Sequence, residues 1–71
     1  SRWYPDIVRE ADNPSLELRQ TAAWLMGQDR DYAPFHEALL RLIHDSQPMV
    51  RRNAALGLAG FGESAARPEL V

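Results

Sequence analysis

The chain has 71 residues, ten acidic and eight basic, every basic one an Arg, giving a net charge of −2. That length makes one small domain at most, burying only about 60% of its unfolded surface, and the acidic balance argues against a dedicated nucleic-acid binder. Without cysteine there is no disulfide framework and no thiolate metal site. No apolar run approaches the ~20 residues of a membrane span and no charged-then-apolar leader is present, so the expected location is cytoplasmic. Beginning at Ser1, the chain is expected to have lost an initiator Met or to be cut from something longer.

Four helices are predicted from their punctuation. Pro5, allowed in a first turn, opens a helix over 5–11. Asn13-Pro14 reads as N-cap and first helical residue of a second helix, which ends at Gly27. A polar loop covers 28–33, and Pro34 opens a third helix running to about His44. Asp45-Ser46-Gln47-Pro48 repeats the cap-and-proline device for a fourth, which stops at Gly60-Phe61-Gly62. No segment alternates with a period of 2, so the fold class is all-α.

The third helix carries the cleanest apolar stripe, Phe35, Ala38, Leu39, Leu42 and Ile43, spaced i, i+3, i+4, i+7, i+8. Leu40 lies off that stripe, as suits a helix covered on more than one side. Val50, Ala54, Gly57, Leu58 and Phe61 share one face of the fourth helix. Leu18, Ala22, Leu25 and Met26 are assigned the same buried face of the second.

These faces recur. Ile7-Val8-Arg9 aligns with Leu39-Leu40-Arg41, and Leu18-Arg19-Gln20-Thr21-Ala22-Ala23 with Val50-Arg51-Arg52-Asn53-Ala54-Ala55, both at an offset of 32 residues without a gap. A fixed period of this size marks a stacked repeat, each unit a supersecondary element that cannot bury its apolar face alone. Shifted back by one period, the stripe of the third helix becomes Trp3, Asp6, Ile7, Glu10 and Ala11, with Asp6 and Glu10 replacing Ala38 and Leu42. That is the polar outer face a capping repeat needs. Shifted forward, Glu37-Ala38-Leu39 becomes Glu69-Leu70-Val71. The expected organisation is one domain over 1–71, with repeat one at about 3–30, repeat two at about 33–62 and a partial third unit at 64–71. This is the N-terminal end, or a piece, of an array whose C-terminal side is open. Two repeats fall short of the ~3 usually needed for stability, so the isolated chain is expected to homodimerise through that side or to melt at low temperature.

The order of acidic residue and proline, aliphatic-Arg pair, Ala-Ala and small residue resembles the HEAT-like repeats, in particular the short bacterial type of phycobilisome-lyase-like proteins. It appears as Asn13-Pro14, Leu18-Arg19, Ala22-Ala23 and Gly27, then as Asp45, Pro48, Val50-Arg51, Ala54-Ala55 and Gly57 to Gly60. The resemblance covers nearly the whole chain and implies an α-solenoid of antiparallel helix pairs. It further implies that Arg19 and Arg51 tie successive units through loop carboxylates, with Asp12 and Asp45 as partners, rather than forming an anion-binding ladder. The face of each second helix turned away from the core would then line a concave surface. On a 100° wheel Arg52 and Leu56 point that way, and their equivalents one repeat earlier are Gln20 and Trp24.

Chemistry-bearing constellations are few. His36-Glu37 opens the zinc-protease motif His-Glu-x-x-His, but the second imidazole position is Leu40, and His44 lies two turns on. Asp29 and Asp31 begin a calcium loop that lacks its Gly and distal Glu. No Ser or Thr has a motif partner as base. No cofactor, metal site or catalytic residue is assigned. The reading is a non-enzymatic protein–protein interaction or scaffold module, with Gln20, Trp24, Arg52 and Leu56 as the partner-binding residues, Trp and Arg being enriched at binding hot spots. Two alternatives stand beside it: nucleic-acid backbone binding by an Arg stripe, opposed by the interleaved Glu10, Glu17 and Glu37, and the scaffold part of a bilin-lyase-like enzyme.

Overall fold

The structure, a computed structural model, describes residues 3–61. Four helices follow in order, α1 (Tyr4–Glu10), α2 (Leu16–Met26), α3 (Ala33–Leu42) and α4 (Pro48–Gly60), and no strand occurs among the described residues. The all-helical expectation holds. Proline occupies the first turn of α1, α3 and α4, where its missing N–H leaves no helical bond unmade. The partial unit expected at 64–71, and with it the open C-terminal side, lies outside the described residues.

Two helix boundaries differ from expectation. α2 starts at Leu16, and its N-cap is Ser15, whose hydroxyl accepts from the Leu18 N–H at 3.4 Å. Asn13 instead closes a turn of its own, its Oδ1 accepting from the Ser15 N–H at 2.8 Å. A short polar side chain that bonds the backbone two residues on competes with helix for the same groups, so the helix begins after it. Asp45 makes the same turn before α4, its Oδ2 accepting from the Gln47 N–H at 2.9 Å. α3 stops at Leu42, two residues before His44, with Ile43 as its C-cap.

The helices form two layers, α1 beside α3 and α2 beside α4, the last contact being the most extensive. Met26, Phe35, Leu39, Val50 and Leu58 are the largest fully buried side chains. Ala22, Ala23, Ala54 and Ala55 are also buried, so the repeated Ala pairs lie where helices approach closely. Leu40 and Ile43 pack half-buried against this core. The rings of Tyr4, Tyr32 and Phe35 close the α1/α3 layer with centroids 4.6–5.1 Å apart. Leu18 and Leu25, expected in the core, are 46% and 37% exposed. The face of α2 that carries Ala23 and Met26 meets α3–α4, whereas Leu18 and Leu25 look toward the opposite flank, where no described helix covers them.

Candidate interaction groove between α2 and α4

α2 and α4 lie side by side and run in the same direction. Near their middles the Asn53 Nδ2 donates to the Gln20 carbonyl at 3.1 Å. Toward their ends Gly27 and Gly57 bring the backbones together: a Cβ on Gly27 would lie 2.8 Å from the Gly57 Cα. Only glycine allows that approach.

The contact brings Trp24 and Leu56 to one depression of about 120 Å³, lined also by Gly27, Gln28, Asn53 and Gly57. Trp24 is 56% exposed and Leu56 47%. Two amides border them and both are already engaged, Asn53 on the Gln20 carbonyl and Gln28 Nε2 on the Trp24 carbonyl at 3.2 Å. The depression therefore offers two apolar side chains and a fixed polar edge with oxygens left to accept. It is well below the ~300 Å³ of ordinary small-molecule sites. Gln20 is half-buried and Arg52 exposed on the same pair of helices, but neither lines the depression. Asn53 and Gln28 were not among the residues expected here. A mid-helix Asn beside an Ala pair was the available signal, since Asn is disfavoured there unless its side chain bonds outward.

Arg19 forms an inter-repeat clasp. Its Nε and Nη2 donate to the two carboxylate oxygens of Asp45 at 2.9 and 3.2 Å, and its Nη1 to the carbonyls of Asn13 and Pro14, each at 3.0 Å. The side chains of this pair are only 15% and 11% exposed. Burial opposes ionisation of Asp45, but the Arg19 hydrogen bonds, the Gln47 N–H and the charges of Arg19 and Arg51 outweigh it, holding the carboxyl below its ordinary range. Arg51 repeats the bond to the carbonyl six residues earlier, its Nη1 donating to the Asp45 carbonyl at 2.9 Å. Asp12 is exposed and takes no side-chain hydrogen bond among the described residues.

Asp29 and Tyr4 are bound to each other. Both oxygens of Asp29 are used, one by the Tyr4 hydroxyl at 2.6 Å and one by the Asp31 N–H at 2.9 Å. The Tyr4 bond comes first among the causes that lower the Asp29 carboxyl, and the same bond raises the Tyr4 hydroxyl. The His36 ring lies 5.0 Å from that of Phe61, and His44 is exposed. Among the described residues no three His, Asp or Glu side chains converge on a common point, and no helix is long and apolar enough to cross a membrane.

Helix pairs that repeat their contacts every 32 residues define a stacked α-helical repeat protein. The family model for HEAT repeats matches residues 5–71, and the chain belongs to that family. No curated protein and no solved structure matches it. HEAT repeats commonly serve as scaffolds for protein interaction.

Proposed function

We propose that this HEAT-repeat segment is a non-enzymatic protein-binding module whose α2/α4 face receives a partner polypeptide. Trp24 and Leu56 take an apolar side chain, Gln28 and Asn53 accept from its backbone or a neighbouring donor, and Arg52 and Gln20 form the outer polar contacts. The observation that carries this reading is the pair of half-exposed large apolar side chains on one depression whose polar edge is already fixed. Affinity then comes from a surface ordered before binding, so little is lost to ordering it. Trp and Arg are among the residue types in which binding energy concentrates once a partner shields them from water.

The test is a tagged pull-down from lysate, with and without nuclease, using the wild type and Trp24→Ala/Arg52→Glu, with circular dichroism to establish that the variant is folded. A protein band that survives nuclease and vanishes in the variant supports the reading. Capture abolished by nuclease would replace it with backbone binding of nucleic acid. A band retained by the variant would move the interaction to another face.

A further inference from the structure

A second uncovered surface lies on the opposite flank of repeat one. Ile7 and Glu10 of α1 and Leu18, Thr21, Ala22 and Leu25 of α2 line a depression of about 180 Å³. The four α2 residues are spaced i, i+3, i+4, i+7, so the groove between the two helices is roughly 10 Å long, two helical turns. A lone exposed Leu is ordinary, but two of them lining one concavity mark an interaction surface.

The 32-residue register says what this surface corresponds to. Its equivalents in repeat two are Leu39, Leu42, Val50, Asn53, Ala54 and Gly57, the face that packs on repeat one. There Leu39, Val50 and Ala54 are fully buried, and Asn53 bonds across to Gln20. Among the described residues, the flank of repeat one is the uncovered counterpart of an interface that is filled one repeat later.

Two substitutions nevertheless exclude the same filling. Leu25 stands where Gly57 lets two helices touch, and a lone Cβ at 57 would already lie 3.0 Å from Leu39 and 3.1 Å from the Gly27 Cα. A Leu at that position holds a whole helix pair away. Glu10 stands where Leu42 is buried, so an entirely apolar cover would strand a carboxylate. Among the described residues the Glu10 side chain takes only the neutral Asn13 amide, at 3.0 Å. The groove is thus apolar along its length and acidic at one edge, and Leu25 stands where close packing of a second helix pair uses a glycine.

We infer that this flank binds a single amphipathic helix of a partner protein, its apolar residues at i, i+3 or i+4, and i+7 seated between Ile7, Leu18 and Leu25, with a Lys or Arg against Glu10. Helix-in-groove docking needs only such a row of anchors, and the basic residue supplies the charge the groove lacks. The surface shares no lining residue with the α2/α4 depression, so it stands whether or not that depression binds a partner.

The test is fluorescence anisotropy with two short synthetic helical peptides that carry the same Leu ridge, one flanked by Lys and the other by Glu. The Lys peptide should bind the wild type about tenfold more tightly than the Glu peptide. Leu18→Gln/Leu25→Gln, both at half-exposed positions, should weaken it by a similar factor while circular dichroism stays unchanged. Glu10→Lys should reverse the preference, and Trp24→Ala should leave it alone. Equal binding of the two peptides, no binding of either, or a preference that Glu10→Lys does not move would overturn the inference. Loss of binding in Trp24→Ala alone would place the peptide in the α2/α4 depression and overturn it too. So would a dimer in sedimentation that Leu25→Gln dissolves, because a second copy would then be the occupant.

Discussion

Removing the Arg19 guanidinium should cost this domain a large part of its stability. Arg19→Met keeps the apolar stem but deletes four hydrogen bonds, two to the Asp45 carboxylate and two to the carbonyls of Asn13 and Pro14. Bonds to charged groups contribute roughly 1.5–3 kcal/mol each when shielded, and do not add. Breaking a fully buried pair costs about 3–5 kcal/mol. Asp45 keeps the Gln47 N–H and is 11% exposed, so water relieves part of that penalty. The expected loss is about 2–3 kcal/mol, which in a domain of this size lowers the Tm by roughly 10–20 °C. Asp45→Asn is the informative partner, because Asn13 already makes the same turn one repeat earlier. It should preserve the turn, lose only the ionic part, and cost about 1–2 kcal/mol. In urea unfolding followed by far-UV circular dichroism, the double variant should be little worse than Arg19→Met, a coupling of about 1 kcal/mol or more. Additive single effects, or an unchanged Arg19→Met melt, would refute the clasp.

Three further outcomes follow from the same geometry. Asp45 has a depressed carboxyl in the folded chain, so its contribution is complete above the unfolded value near 4 and is lost as pH falls through the folded one. The stability gap between wild type and Asp45→Asn should therefore shrink from about pH 7 to about pH 3; a constant gap would contradict the assignment. Gly27→Ala should destabilise by about 1–3 kcal/mol, since its Cβ meets the Gly57 backbone. Gly60→Ala meets only the movable Arg30 side chain and should be neutral or gain up to about 1 kcal/mol from helix propensity; equal effects at the two sites in thermal melts would sink the argument. Trp24→Ala, at a half-exposed position, should shift stability by less than about 1 kcal/mol while abolishing capture of a partner, and a collapse of the fold would show that the ring is structural.

The repeat was legible because stacked units must make the same contacts each time, which forces Arg19 and Arg51, and the two Ala pairs, into one register. The outward direction of Leu56 could be read from helical periodicity, and that of Trp24 from the repeat register that pairs it with Leu56. What could not be read was which neighbour a face meets. Leu18 and Leu25 share an apolar side with Ala22, yet apolarity names a side and not its cover. Asn13 looked like a cap because it precedes Pro14, but the turn it closes postpones the helix to Leu16. Asp12 and Asp45 were equal candidates for the arginines in sequence; the chain direction after the turn brings Asp45 to Arg19. The Asn53–Gln20 and Tyr4–Asp29 bonds join residues 33 and 25 positions apart, and no local pattern encodes them.

Positions that match across the register build the stack, so the mismatched ones show what each unit has been shaped to meet. Asn13 stands where the next unit has Asp45: the turn is kept and the charge dropped. Glu10 for Leu42 and Leu25 for Gly57 make the flank of repeat one unlike the stacking face of repeat two, as the proposed docking of a single helix requires. Trp24 and Leu56 match each other only in being large, apolar and exposed, which core packing does not require of either. If these mismatches were drift, Leu25→Gly with Glu10→Leu would leave the flank's binding unchanged. If they are adaptations, that pair of changes should abolish selection for a basic helix while leaving the α2/α4 face as it was.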